Sequence, residues 1–205
     1  METKADRKSN LRPATYEALL DAGTELILEK GYNHCGLDEI LKRAGAQKGS
    51  FYHFFASKED FGLRVIDRYS KIRLASMDEY LIDPSRAPLA RLRRWYESTC
   101  LRKLDQECRI GCLFGSLSQE LSNQSEAIRQ SLDQCLSQVR KRLTACLVEA
   151  QSAGDLRADL DAAQLAEYCL NGWEGALLRM KVVRSVEPLE IFVRVTFDLV
   201  LRPCS

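Results

Sequence analysis

Asp38 to Glu59 read DEILKRAGAQKGSFYHFFASKE, and the rest of the chain makes sense outward from this stretch. Ile40, Leu41 and Ala44 recur at helical spacing, and Gly45 then ends that short helix, because glycine adopts the left-handed backbone a helix terminus requires. A second short helix is expected from Gln47 to Phe55. It buries Phe51 and Phe54 or Phe55 and leaves Lys48, Ser50, Tyr52 and His53 pointing outward. Two short helices joined by a tight glycine turn outline a helix-turn-helix, whose second helix has the right diameter for the major groove of double-stranded DNA.

The outward residues suit that task. Lys48 can neutralise a phosphate, Gln47 and Ser50 can donate or accept at base edges, and Tyr52 and His53 can donate to phosphate oxygens. Ser57 reads as the N-cap of the next helix with Asp60 at N3, which puts Lys58 and free backbone amides where a DNA backbone would pass. The competing reading is an ordinary helical hairpin with a solvated face, since short motifs carry a real false-positive risk.

Upstream, residues 1 to 10 are polar and cationic and read as a flexible arm. From Pro13 a helix is expected to run to Lys30, with Leu19, Ala22, Leu26 and Ile27 on one stripe and Gly31 ending it. Downstream, a long helix from Lys58 to Leu81 is stopped by Asp83-Pro84. Leu63, Ile66, Ile72 and Leu74 are its apolar contacts, and Arg64, Arg68, Lys71 and Arg73 its wet face. Placed between the DNA-reading unit and everything after it, this helix is the natural coupling rod.

The remaining chain is helical in pattern. Pro88 opens a helix carrying Trp95 and Tyr96, aromatics that serve either as core or as the lining of a small-molecule pocket. Gly111 breaks the chain and Cys112 is expected in the first turn of a new helix. There the helix dipole and the nearby Arg109 would lower the thiol pKa from about 8.5 toward neutrality, and the plainer alternative is a buried, inert cysteine. Helices from Ser125 to Ala153, from Asp161 through Met180, and from Pro188 to Leu201 follow. The last two are richer in apolar residues than one small core can hide, which predicts a four-helix interface with a second copy of the chain.

Composition sets limits. The chain has 205 residues, 45% hydrophobic and 29% charged, with a formal net charge of +1. That balance lacks the basic excess of many nucleic-acid binders, but placement decides, and Lys4, Arg7, Lys8, Arg12, Lys48 and Lys58 can gather on one face. There is no apolar run of roughly eighteen residues and no hydrophobic leader, so a cytoplasmic protein with no membrane partner is expected. Eight cysteines are scattered without CxxC pairing, which suits free thiols in a reducing compartment. Cys100, Cys108 and Cys112 could in principle supply a zinc site, but both histidines lie in the other half, so neither metal nor cofactor is expected. An enzyme using Cys112 as nucleophile lacks a base, because His34 and His53 belong to the DNA-reading unit.

Gly31-Tyr32, Leu37 through Leu41, Ala44-Gly45, Lys48 through Phe55 and Ser57-Lys58-Glu59 together resemble the DNA-binding domain of the TetR family of transcriptional repressors, over roughly residues 12 to 62. The resemblance implies an all-α homodimer, with a helix-turn-helix domain at residues 1–57 and a ligand-sensing and dimerisation domain at residues 58–205. It also implies a small-molecule inducer that releases operator DNA. Cys35 and Gly36 depart from the family, standing where hydroxyl residues usually cap the second helix and touch phosphate. In the second half, Arg109 to Leu113, Ser118-Gln119-Glu120, Gly172-Trp173-Glu174-Gly175-Ala176, Lys181 and Glu187-Pro188-Leu189 resemble the subgroup containing NemR and AcuR. That subgroup responds to reactive electrophiles or oxidants, or to acrylate-type compounds. The resemblance implies a sensing thiol at Cys112 with Lys181 as its partner, and a pocket drawing on Trp95, Tyr96, Arg109, Trp173 and Glu174.

Overall fold

The computed structural model describes residues 4–202, and the side chains of residues 14–202. Among the described residues there are nine α-helices and no strand. They are α1 (Lys4–Lys30), α2 (Leu37–Ala44), α3 (Lys48–Phe54), α4 (Lys58–Leu81), α5 (Pro88–Asp105), α6 (Leu113–Leu121), α7 (Glu126–Ser152), α8 (Ala162–Val183) and α9 (Glu187–Val195). A single π-helical turn, Thr196–Val200, closes the described chain.

Local chemistry ends these helices where the sequence places the stops. Gly31 and Gly45 sit at φ +87° and +62°, and the Gly45 N–H caps the C-terminus of α2. Asp60 N–H donates to Ser57 Oγ at 3.0 Å, Ile128 N–H to Ser125 Oγ at 3.1 Å, and Ala163 N–H to Asp161 Oδ1 at 2.8 Å. Each satisfies an amide that the first turn of a helix leaves without a partner. Gly36 at the start of α2 gives no side-chain cap, as its departure from the family pattern implies.

The second and third helices and the start of α4 pack on α1. Leu19, Leu26 and Ile27 of α1, Ile40 and Leu41 of α2, and Phe51 of α3 close on Phe55 and Phe61. The rings of Phe51 and Phe55 lie 5.0 Å apart and those of Phe55 and Phe61 4.9 Å, an aromatic centre that α3 cannot leave without opening the core. Further along, α4 packs against α5 and α7, and α7 against α8, which packs on α9. Arg142 of α7 forks onto Asp78 of α4 at 2.6 and 2.9 Å.

Several expectations need correction. The first helix begins at Lys4 rather than Pro13, so residues 4–10 are helical instead of an arm; a polar Lys-, Ala- and Arg-containing segment is as compatible with a solvated helix as with a tail. Residues 1–3 of that expected arm, and the side chains of Lys4, Arg7, Lys8 and Arg12, lie outside the described ones. The reading helix is one residue shorter at each end, with Gln47 and Phe55 as its caps. Ile72 is exposed and Arg73 is the residue that turns inward, because α4 continues the stripe of Ile66, Ser70 and Met77 through position 73. The last helix is interrupted at Val195 by the π turn.

Candidate functional site

The helix-turn-helix presents one wet face. Gln47, Lys48, Tyr52 and His53 are exposed and Ser50 is half-buried, while Phe51 on the opposite side is fully covered. Lys48 and Tyr52, one turn apart, share a ridge, and the Tyr52 ring is 56% exposed. Lys58 is placed differently from its expected role on a passing backbone. Its Nζ donates to the Tyr32 carbonyl at 2.9 Å and lies 4.6 Å from the centre of the Tyr32 ring. It ties the start of α4 to the turn after α1.

The second site is buried in the other half. Cys112 is the N-cap of α6, one residue before the first turn in which it was expected. It is 4% exposed. Its sulfur accepts from Arg73 Nη1 at 3.3 Å, and Arg73 Nη2 lies 3.6 Å from Glu174 Oε1. The expected fall in thiol pKa is overturned: burial pushes Cys112 up to about 11, the Glu174 carboxylate adds to the rise, and Arg73 opposes it. Arg109 is not the neighbouring cation. It lies on the surface and donates to Glu107 at 2.8 Å. Burial works against the charge of Arg73, but the sulfur, Glu174 and Tyr69 raise its pKa on balance, so it stays cationic.

Cys112 stands in the wall between two cavities. One, about 220 Å³, is lined by Tyr69, Arg73, Trp95, Lys103, Ile110 and Trp173 among others. The other, about 370 Å³, is lined by Gly115, Ser116, Gln119, Glu174 and Lys181. Arg73 Nε, Trp95 Nε1 and Glu174 Oε1 are buried with no hydrogen-bond partner, an unusual concentration of unsatisfied polar atoms around one sulfur. Lys103 donates to the Gly111 carbonyl at 3.0 Å, and burial lowers its pKa to about 8. Tyr96 packs behind the cavity wall, its ring 4.8 Å from Trp95 and 4.7 Å from Trp173. Lys181 lays its aliphatic stem over Gly111, where an added Cβ would meet its Cδ at 2.9 Å; the sulfur itself meets Arg73, the Glu174 carboxylate and the Gly115 backbone.

The two sites are joined by α6. Cys112 caps its start, and Glu120 near its end accepts the backbone N–H groups of Tyr32 at 2.8 Å and Asn33 at 2.6 Å. Those amides lie in the loop that leads into α2, so a carboxylate from the second half grips the backbone of the DNA-reading unit. Ser125 adds a second tie, donating to Glu59 at 2.6 Å.

Arg73, Tyr69, Lys103 and Glu120 escaped the sequence reading as site residues. For Arg73 a signal existed, since Ile66, Ser70, Arg73 and Met77 follow a 4-3-4 helical spacing. Glu120 appears in that reading only in the Ser118-Gln119-Glu120 run of the resemblance, and no local pattern points to its partners 87 and 88 residues away. No group of three or more His, Cys, Asp or Glu that could hold a metal ion occurs among the described residues, and the seven described cysteines are free and buried. No described helix is long and apolar enough to cross a membrane.

Known proteins share both halves. Residues 19–65 match the family described as bacterial regulatory proteins, tetR family, and residues 88–196 match the tetracyclin repressor-like C-terminal domain. The chain is 41% identical over 179 residues to the transcriptional regulator AcuR of Cereibacter sphaeroides, covering 87% of this chain and 82% of that one. It is 35% identical over 190 residues to the HTH-type transcriptional repressor DhaR of Mycobacterium sp., covering 93% and 94%. The crystal structure of the reduced form of Escherichia coli NemR matches with a TM-score of 0.82 at 32% identity, covering 93% of this chain and all of that one. A helix-turn-helix ahead of a cavity-bearing helical half, matched along nearly its whole length by named regulators, makes this chain a member of the TetR family of DNA-binding transcriptional regulators and not an enzyme.

Proposed function

We propose that the protein is a homodimeric repressor that leaves its operator when a small electrophile or oxidant modifies Cys112. The observation that carries this reading is the placement of α6: its first cap is the thiol, and its last turn holds the backbone of the DNA-reading unit through Glu120. A group added to the sulfur displaces the Arg73 and Glu174 contacts that hold the start of α6, and packed helices shift as rigid bodies. Gln47, Lys48, Ser50, Tyr52 and His53 form the operator-reading set, and Lys58 positions it.

A second reading, a reversible ligand in the same cavity, draws support from the unpartnered Trp95 Nε1 and Arg73 Nε. Buried donors without acceptors favour a small guest that supplies one, and such a guest needs no covalent step.

The DNA claim is tested by fluorescence anisotropy of the full-length protein on the region upstream of its own gene, across a salt series. Specific binding is expected, and Lys48→Ala should weaken it about tenfold while lowering the slope of log affinity against log salt by about one. Equal affinity for upstream and unrelated DNA would reject the repressor reading.

A further inference from the structure

We propose that Glu174 receives the thiol proton of Cys112 when an activated alkene enters the cavity, while Arg73 holds the sulfur as the thiolate forms. This inference rests on the sensor reading above and assigns that reaction its proton acceptor. The thiol at rest is neutral and shut away from water, so attack on an electrophile requires a base already in place.

The groups facing the sulfur are few. From α4 come Tyr69 and Arg73, from α5 Lys103 and Arg102, which donates to the Thr99 hydroxyl at 3.0 Å, and from α8 Glu174 and Lys181. Burial holds the phenol of Tyr69 protonated well above its ordinary range, so it does not accept at neutral pH. Arg73 stays cationic. Lys103 retains its proton below about pH 8 and spends it on the Gly111 carbonyl. Lys181 runs its stem across Gly111. Glu174 is left as the base, and its Oε1 is buried without a hydrogen-bond partner. Its approach is built into the fold: an added Cβ on Gly115 would stand 2.7 Å from Glu174 Oε2, so only glycine in the first turn of α6 admits the carboxylate there.

The step balances without any oxidant. The S–H bond breaks and its proton passes to Glu174; a sulfur–carbon bond forms at the β-carbon of an α,β-unsaturated carbonyl compound. The alkene pair moves onto the carbonyl as an enolate, stabilised by the cationic Arg73. The enolate carbon then takes the proton back from Glu174, and the product is a neutral thioether.

The test uses the full-length protein and N-ethylmaleimide, following alkylation of the Cys112 peptide by mass spectrometry from pH 6 to pH 10. Glu174→Gln should slow the reaction at pH 7 by at least about tenfold, with the gap closing toward pH 10 as hydroxide replaces the carboxylate. An unchanged or faster rate at pH 7 would overturn the proposal, because removing a charge that merely keeps the thiol protonated speeds alkylation. If Glu174→Gln loses its helical circular dichroism, Gly115→Ala carries the same expectation and the same overturning result, since it keeps the carboxylate but displaces it. The underlying sensor reading fails separately. If Cys112→Ser is still driven off DNA by the maleimide, the thiol is not the sensor; if it resists while Glu174→Gln alkylates at the wild-type rate, only the proton acceptor is wrong.

Discussion

Around the sulfur, three elements set the charge of each residue. Arg73 from α4 and Lys103 from α5 bring two cations to one buried wall, and α8 supplies a single carboxylate, Glu174. Arg73 has both the carboxylate and the sulfur as partners, while Lys103 has only neutral oxygens and sheds its proton more readily than an exposed lysine. Its folded pKa lies below its unfolded value, so the charged amine destabilises the fold below about pH 8, and the penalty fades as the pH rises from there toward 10.5. Lys103→Met is therefore expected to raise stability at pH 7 by about 1–2 kcal/mol, with the gain shrinking toward pH 10. Thermal melts at both pH values check the sign, and a gain that grew with pH would contradict it. The sequence could place Cys112 beside a helix start, but not say which cation would meet it. Arg109 is near in sequence and faces water, and Arg73 is 39 residues away and faces the sulfur.

Among the elements, the caps and stops were legible because they act within four residues: Ser57, Asp161, Gly31 and Gly45 work where the sequence places them, while Ser125, expected as the first residue of its helix, is its N-cap. The route between the halves was not, because it runs through tertiary contacts that no local pattern encodes. The long α4 looks like the coupling rod in the sequence, and it does span both halves. The structure adds a shorter path through α6, from Cys112 at one end to Glu120 on the Tyr32 and Asn33 amides. Glu120→Ala should leave alkylation of Cys112 unchanged but reduce the accompanying loss of operator affinity by at least about fivefold, the scale of a coupling free energy near 1 kcal/mol. Anisotropy titrations with and without N-ethylmaleimide measure it, and full release in the variant would return the coupling to α4 alone.

For the whole molecule, the faces of α8 and α9 leave Tyr168, Leu178, Val182 and Ile191 exposed, the apolar surplus that the sequence predicts for a subunit interface. A symmetric dimer through this face would fix the distance between two copies of α3, and with it the spacing of operator half-sites. On the proposed sensor reading, release would need only a small change in that distance, carried from a thiol that lies outside the interface residues just named. The most direct measurement is operator binding by the full-length protein before and after treatment with N-ethylmaleimide, for the wild type and Cys112→Ser side by side. The wild type is expected to lose at least about tenfold in affinity on treatment while Cys112→Ser keeps its own; equal loss in both would contradict the account.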